Sequence, residues 1–237
     1  MEKKLWCGRI IKPVSVCLAA LLLLTAAGPV PGETDTADPP PVEPVFLTNI
    51  LNSLEKKYLS GGFCADFEQT STLQAMDITD TATGKIYVKP PGMMRWEYET
   101  PDPQLIVSDG ENLWVYRPED NQVMIGESPT FFGDGKGAGF LSDIRQIREN
   151  FELSLKEPED PGAYLLKAVP RENMLDVSVI YLFISKMDFH VTRVITRNTY
   201  GDETCVDLLN IRFDVELPND MFTFEVSESM DVLRLDE

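Results

Sequence analysis

The chain has 237 residues, of which 43% are hydrophobic and 25% are charged, and this composition fits one globular domain once the terminal segments are set aside. A formal net charge of −18 at pH 7 makes nucleic acid an unfavourable partner, because the phosphate backbone is itself negative. One histidine and four cysteines at no zinc-like spacing also give no pattern of a structural zinc site.

Residues 1–28 have the pattern of a cleaved secretory signal peptide. Positive residues precede an apolar run at 14–24, and small residues follow it at 25–28. The run is shorter than the roughly 20 apolar residues of a transmembrane helix, and Cys17 follows Val16 rather than a small residue, which argues against a lipid anchor. We expect an exported mature protein, and loss of four basic groups and one acidic group would change its net charge from −18 to −21.

Residues 29–44 are proline-rich and acidic without periodicity, so we expect a flexible linker before one domain at residues 45–237. The domain opens with an amphipathic helix, which Gly61 and Gly62 end. Its apolar stripe must be buried against another part of the domain. The stripe consists of Leu47, Ile50, Leu51, Leu54 and Tyr58.

Short strands follow the helix. Residues 84–126 predict an antiparallel meander with turns at 90–92 and 109–110. Within it, Met94, Trp96 and Tyr98 share one face of a strand. Apolar residues occupy both alternating positions at 105–107, so the facing of that strand stays open. The predicted strands of this half are 63–70, 84–89, 93–98, 105–108, 113–116 and 122–126.

Residues 128–139 break this rhythm with Phe131 and Phe132 beside closely spaced glycines. An apolar pattern of helical spacing follows at residues 140–151 and predicts a second helix. A glycine-rich segment that leads into an amphipathic helix is typical of a hinged lid, although an ordinary loop also fits. The apolar helix positions are Phe140, Leu141, Ile144, Ile147 and Phe151.

Further strands are predicted at 164–169, 177–184, 191–196, 205–217 and 222–226. About eleven short strands with only two helices imply one large antiparallel sheet that closes on itself. The two helix stripes would then cover its concave side.

Cys64 and Cys205 remain after the signal peptide, and an oxidising compartment would allow a disulfide between them. Alternation argues against the bond, because Cys64 shares a face with Asp66, whereas Cys205 shares one with Leu209, Ile211 and Phe213. A β-bulge would reconcile the two faces, so the pairing stays open.

Little in the sequence indicates catalysis, and we expect no enzyme activity, cofactor or metal site. His190 lies in a strand-like run, where a surface or edge position is the simpler interpretation. No Ser/His/Asp set lies at a strained turn, and the abundance of carboxylates makes any single pair of them uninformative. Apolar side chains on an exported scaffold indicate binding instead.

Several short motifs occur in a characteristic order. Residues 63–69 read FCADFEQ, residues 84–96 read GKIYVKPPGMMRW, and residues 107–110 and 113–116 read VSDG and LWVY. Each motif alone is weak. The ordered set, together with Pro101 and the later FTF at 222–224, resembles the outer-membrane lipoprotein carrier (LolA) family over about residues 45–230.

The resemblance implies a mainly β fold, an unclosed antiparallel β-barrel with a lid of two or three α-helices over an apolar cavity. The cavity would hold the acyl chains of lipoproteins on their way from the inner to the outer membrane. The implied partners are acylated lipoproteins, an inner-membrane ABC-type lipoprotein releasing complex and an outer-membrane lipoprotein acceptor, and the carrier is expected to be a monomer. The expected cavity residues are Leu51, Leu54, Met94, Trp96, Ile106, Phe132, Phe140 and Leu141.

One position departs from the family pattern. Many family members have arginine immediately before the proline of the turn at 90–92, where it helps to hold the lid, but this chain has Pro90. Arg95 points to the face opposite Met94 and Trp96, so it is no simple substitute. We therefore expect the lid to be held differently.

Two other functions fit the same residues. The chain could carry or sense another apolar ligand, such as a phospholipid or glycolipid. It could also dock onto an envelope protein through an exposed aromatic face. Lipid that co-purifies with the protein separates carriage from docking, and the identity of that lipid separates the two kinds of carrier.

Overall fold

The computed structural model describes residues 44–128, 139–172 and 175–235. The predicted signal peptide, all but the last residue of the predicted linker, and the lid residues Phe131 and Phe132 lie outside these ranges. Within them, no helix has the length and apolarity that crossing a membrane would require.

One sheet of twelve strands dominates the described part of the chain. Helix α1 (Pro44–Leu59) precedes it, and a 3-10 helix (Gly139–Ser142) and helix α2 (Arg145–Asn150) lie between β6 and β7. A second 3-10 helix (Asn219–Phe222) precedes the last strand. The strands are β1 (Gly62–Leu73), β2 (Ile78–Lys89), β3 (Met93–Thr100), β4 (Gln104–Asp109), β5 (Asn112–Arg117), β6 (Gln122–Glu127), β7 (Phe151–Lys156), β8 (Ala163–Pro170), β9 (Val179–Ser185), β10 (Val191–Arg197), β11 (Glu203–Val215) and β12 (Asp231–Arg234).

The sheet follows the order β12-β6-β5-β4-β3-β2-β1-β11-β10-β9-β8-β7. All neighbouring strands pair antiparallel except β12 and β6, which are parallel. Because β12 and β7 end the order on opposite edges, the barrel is unclosed. The prediction of a mainly β, unclosed barrel with helices over one face is confirmed.

Two predicted elements differ in the structure. The predicted helix at 140–151 is instead the 3-10 helix and α2, because Asp143 accepts hydrogen bonds from the backbone N–H and side chain of Arg145 and starts a new helix there. Phe151 is extended (φ −124°, ψ 148°) and begins β7, which pairs with β8. The predicted strand at 222–226 forms no strand, and β12 lies further along the chain.

The strand register assigns each side chain to one face of the sheet. Trp96 pairs with Ile106, which pairs with Val115, and this row faces the helices. The neighbouring row joins Arg95, Val107 and Trp114 and faces the other way. The sequence left open which residues of 105–107 face the interior, and the register answers this: Ile106 faces inward and Val107 faces outward. Both sides of β4 are apolar because both are covered.

A β-bulge decides the question of the two cysteines. Between Cys64 and Asp66 of β1 the partner residue on β11 shifts from Arg212 to Leu209, and Asn210 in the bulge has a φ of +51°. The bulge reverses the facing of β11, so Cys205 does not share a face with Ile211 and Phe213 as alternation alone predicts.

Both thiols are therefore on the outer face, but they lie far apart along β1. Cys205 pairs with Thr70, six residues from Cys64, which is roughly 20 Å at 3.3 Å per residue. A disulfide needs Cα atoms within about 7 Å. The two cysteines are free in the structure.

The C-terminal segment covers the outer face of β3 to β6. Phe222 is fully buried, together with Val107 and Val123 of the sheet. Lys89 donates to the carbonyl oxygen of Leu217 at 2.8 Å, and Arg95 donates to that of Met221 at 3.1 Å. The segment therefore forms a second, smaller apolar layer outside the barrel.

Candidate functional site: an apolar interior beneath two helical segments

Helix α1 lies against the concave face of the sheet. Its stripe residues Ile50, Leu51, Leu54 and Tyr58 are all buried there, because they recur on one side of the helix. The Tyr58 hydroxyl accepts a hydrogen bond from the backbone N–H of Val191 at 3.0 Å. Burial raises the pKa of Tyr58, so this hydroxyl stays neutral over the physiological range.

Three aromatic side chains form the centre of the concave face. The ring centroids of Phe67 and Trp96 are 4.8 Å apart, and those of Phe67 and Tyr98 are 5.0 Å apart. Such edge and tilted contacts add to the burial of the rings. The Trp96 indole N–H donates to the sulfur of Met94 at 2.8 Å, so the polar atom of the tryptophan has a partner within the apolar interior.

Gly84 makes room for this aromatic group. A Cβ atom at position 84 would lie 2.9 Å from the ring of Phe67 and would collide with the carbonyl oxygen of Glu97. Only glycine therefore allows the backbones of β2 and β3 to approach beside these rings. Tyr98 donates to the side-chain oxygen of Gln69 at 3.1 Å, and burial raises its pKa to about 12.

Residues 139–150 form the second cover of the concave face, which we call the cover segment. It contains the 3-10 helix and α2, and its apolar side chains point into the same interior as the α1 stripe. Phe140, Leu141, Ile144 and Ile147 are each at most 2% exposed.

Polar contacts hold the cover segment at three points, one of which is the backbone N–H of Arg171, which donates to the carbonyl oxygen of Asn150 at 2.9 Å. The backbone N–H of Gly92, in the turn after Pro90, donates to the carbonyl oxygen of Ser142 at 3.1 Å. At the other end, Arg148 bonds to two residues of α1, with Nε 2.8 Å from Glu55 and Nη2 2.9 Å from Asn52. The turn thus holds the cover through its backbone although position 90 is proline.

The structure brings six of the predicted cavity residues into one buried cluster. These are Leu51, Leu54, Met94, Trp96, Phe140 and Leu141. Ile106 is partly buried and packs against the same cluster. Phe132 lies outside the described residues, so its prediction is untested.

Several residues of this interior were absent from the predicted set. Phe67 and Ile86 are fully or almost fully buried in the cluster. Alternation along β1 already put Phe67 on the same face as Phe63, and pairing of β2 with β3 puts Ile86 opposite Trp96. Ile144 and Ile147 follow from the helical spacing of Phe140 and Leu141, which persists although the helix is broken.

No charged side chain is buried among the described residues. The buried polar neighbours of the interior are hydroxyl groups, such as Ser108 and Ser128, whose oxygens are 2.6 Å apart. His190 lies outside it, beside Asp188 at 2.7 Å. No group of three or more metal-ligating side chains occurs within 44–128, 139–172 and 175–235. The arrangement suits an apolar ligand.

Comparison with known proteins identifies the family. A family model described as outer membrane lipoprotein carrier protein LolA matches residues 60–225, which is more than half of the chain. The chain belongs to the LolA family.

Two carrier proteins are similar to this LolA-family chain in sequence, and one solved structure is similar to it in fold. An outer-membrane lipoprotein carrier protein of Alkalilimnicola ehrlichii is 30% identical over 167 residues, covering 70% of this chain and 75% of the relative. One of Neisseria gonorrhoeae is 26% identical over 175 residues, covering 74% and 80%. An uncharacterized conserved protein from Thermus thermophilus shares the fold, with a TM-score of 0.53, 16% identity and coverage of 80% of this chain and 99% of the other.

Proposed function

We propose that this LolA-family protein carries lipoproteins from the inner to the outer membrane and shelters their acyl chains between the concave sheet face and its two helical covers. The observation that carries the proposal is a large uncharged apolar face covered by short helical segments instead of a second sheet. The relatives whose names describe lipoprotein carriers support the same role.

The physical need for such a carrier is large. A buried methylene is worth about 0.8 kcal/mol, so an acyl chain of about 16 carbons loses roughly 12 kcal/mol when it is left in water. The interior around Met94, Trp96 and Phe67 offers aliphatic and aromatic surface without a charge to desolvate. No bond is made or broken in this role, so it requires no catalytic group.

Release is explained by exchange of contacts. Leu51 and Leu54 of α1, with Phe140 and Leu141 of the cover segment, occupy the concave face of the empty protein. An entering acyl chain would replace these side chains and expose or relocate them. The net affinity is then the difference between two apolar packings, which leaves cargo able to transfer to an acceptor.

The proposed path of the lipoproteins, from the inner to the outer membrane, follows from the predicted export signal and the proposed cargo. A carrier between two membranes must receive lipoproteins from an inner-membrane ABC-type releasing complex and deliver them to an outer-membrane acceptor. We propose these two partners for a monomeric carrier in the periplasm.

Neighbouring residues of β4 provide a sharp test. Ile106 faces the concave interior, and Leu105 faces the outer side of the same strand. A photo-activatable cross-linking residue placed at position 106 in cells should capture lipoproteins, whereas the same residue at position 105 should capture far less. Mass spectrometry of the captured species identifies the acyl groups.

Two results would overturn the proposal. Equal capture at positions 105 and 106 would mean that the concave face is not the binding site. Capture of phospholipid or glycolipid at 106 without any lipoprotein would assign the same interior to another apolar ligand.

A further inference from the structure

The hairpin between β9 and β10 exposes apolar and basic side chains together. Met187 at its tip is 94% exposed, the largest exposed fraction of any large apolar residue described. Phe189 follows at a φ of +57°, a backbone conformation that is an outlier for a bulky residue and that neighbouring contacts must fix. The backbone N–H of Phe189 donates to the carbonyl oxygen of Ser185 at 3.0 Å.

Contacts join this hairpin to α1 and β8. The rings of Phe189 and Tyr164 stack with centroids 6.2 Å apart, and Lys186 lies 5.2 Å above the ring of Tyr164. An open cleft beside Phe189 is bordered by Lys56 and Lys57 from the last turn of α1. We call this set the basic hairpin surface, and it comprises Lys56, Lys57, Tyr164, Lys186, Met187 and Phe189.

A second exposed hairpin shows that the basic charge is particular to this place. Met76, in the turn between β1 and β2, is 64% exposed. Its neighbours are acidic, since Asp77 and Asp80 follow it and Asp202 accepts a hydrogen bond from the backbone N–H of Gln74 at 2.9 Å. The two hairpins therefore expose similar apolar side chains, with lysines prevailing around Met187 and carboxylates around Met76.

We propose that the basic hairpin surface docks onto an anionic lipid bilayer. The three lysines of this surface outnumber its nearby carboxylates, Asp188 and Asp160, and are complementary to lipid phosphate groups, while the chain as a whole carries a net charge of −18. Screening limits charge effects to about 8 Å at physiological salt, so the approach is decided by the groups at this surface, which are the three lysines with the nearby carboxylates of Asp188 and Asp160, and not by charges elsewhere on the chain.

The shape and residue types favour a bilayer over a folded protein partner. A projecting tip with Met187 and Phe189 can enter the boundary between headgroups and acyl chains, where aromatic and apolar side chains accumulate. Lysine is a compact point charge on a flexible stem, which suits mobile headgroups better than one fixed carboxylate. Asp188 also borders the cleft and is exposed, but its carboxylate accepts a hydrogen bond from Ser185 and lies beside His190, so it is partly engaged within the hairpin.

Flotation with lipid vesicles tests this docking with the empty, full exported protein purified from its host. Binding is expected with vesicles that contain phosphatidylglycerol, and it should be weak with phosphatidylcholine alone and fall as salt rises. Replacing Lys56, Lys57 and Lys186 with Gln should lower partitioning about fivefold per lysine at low salt, or roughly 100-fold together. Met187→Asp should lower it about tenfold or more.

Matched controls have the same charge change elsewhere. Replacing the exposed residues Arg117, Arg171 and Arg234 with Gln, or making Met76→Asp, should leave partitioning within about twofold of wild type. Circular dichroism and apolar-dye binding establish that every variant is folded and still has its interior.

Three outcomes would overturn the docking proposal. These are no flotation of the wild-type protein with anionic vesicles, equal losses in the lysine and arginine variants, and flotation that depends on Met76 as much as on Met187. If the wild type instead captures a protein through this surface and ignores vesicles, the surface is a protein interface. None of these results depends on whether the interior binds acyl chains, so the carrier role is tested separately.

Discussion

The two sides of one sheet are covered in different ways. On the outer side, the C-terminal segment buries Phe222 and continues into β12, which adds a backbone ladder to β6. On the concave side, α1 and the cover segment bury most of the apolar cluster, and the cover segment is held by hydrogen bonds with Gly92, Arg148 and Arg171.

In the proposed carrier role, this difference would separate a cover that stays in place from one that the cargo displaces. Side chains at fixed points reinforce the outer cover, with Lys89 bonded to Leu217 and Asn219 and with Arg95 bonded to Met221. Such a segment opens only when much of the sheet is lost. The concave cover adds a large apolar contact to its polar bonds, and in the proposed carrier role an acyl chain would replace that apolar contact with contact of the same kind.

The first prediction compares one phenylalanine from each cover, and its expected effect is the largest. Phe222→Ala should lower the free energy of unfolding by about 3–5 kcal/mol, because the side chain is fully buried in a layer that cannot separate from the sheet. Phe140→Ala should lower the free energy of unfolding less, by about 2 kcal/mol. The cover segment can detach locally, and the free energy of that detachment is the most that the substitution can remove. Urea denaturation of both variants measures the difference.

Dye binding supplies the control for that comparison. Phe140→Ala should strengthen binding of an environment-sensitive apolar dye, while Phe222→Ala should leave binding unchanged in the folded protein. Equal destabilisation by the two substitutions, with unchanged dye binding in both, would show that the two covers are equally permanent.

The buried residues that recur at regular spacing were predictable from the sequence, whereas the polar contacts that hold the covers to the sheet were not. Period-2 spacing placed Met94 and Trp96 on the buried face, and helical spacing placed Leu51 and Leu54 there. The facing of Leu105 and Val107 was unpredictable, because the outer side of β4 is also apolar and its cover comes from residues more than one hundred positions away.

Two further features escaped prediction because they depend on tertiary contacts. A bulge reverses the alternation of β11 near Asn210; the sequence left such a bulge open, but no local pattern locates it. Arg148 bonds to a helix 93 residues earlier in the chain, and a single arginine on an amphipathic helix is otherwise read as a solvated charge. Family resemblance supplied the unclosed barrel, which periodicity left as a sheet closing on itself.

The second prediction uses alkaline pH to separate the two faces. Burial raises the pKa of Tyr98 on the concave side to about 12 and that of Cys205 on the outer side to about 11. A raised pKa in the folded state means that stability is complete below the unfolded pKa and is lost as pH rises through the folded pKa. Stability should therefore fall from about pH 9 for Cys205 and from about pH 10 for Tyr98.

Substituting each residue in turn shows how much of the loss of stability at high pH comes from it. Tyr98→Phe should remove up to about 2 kcal/mol of the decline between pH 10 and 12, at about 1.4 kcal/mol per pKa unit with allowance for partial exposure. Cys205→Ser should flatten the earlier part, from pH 9 to 11. Burial also raises the pKa of Tyr58, so part of the loss of stability at high pH remains in both variants. A Tyr98→Phe profile identical to wild type would show that Tyr98 is ionised freely and does not belong to the buried interior.

The third prediction removes one hydroxyl from each side. Tyr58→Phe leaves the backbone N–H of Val191 buried without its acceptor, which should cost about 1–2 kcal/mol. Tyr116→Phe on the outer side keeps the ring contact with Phe224 and should cost little. Thermal unfolding monitors both variants. A loss for Tyr116→Phe as large as that for Tyr58→Phe would contradict the view that the hydroxyl fixes α1 to the sheet.

The last prediction concerns the ion pair between the cover segment and α1, and its expected effect is the smallest. Arg148→Gln removes the ion pair with Glu55, whose partners are both partly exposed, so the contact is worth about 0.2–1 kcal/mol. Because this contact joins the cover segment to α1, its loss should favour opening and speed amide exchange at residues 140–150 by about 1.4-fold to fivefold. Arg145→Gln is the matched control, since the ion pair of Arg145 is with Asp143 inside the same segment. Faster uptake of an acyl ligand by Arg148→Gln than by Arg145→Gln would show that opening limits entry. Equal exchange in the two variants would mean that apolar packing alone holds the cover.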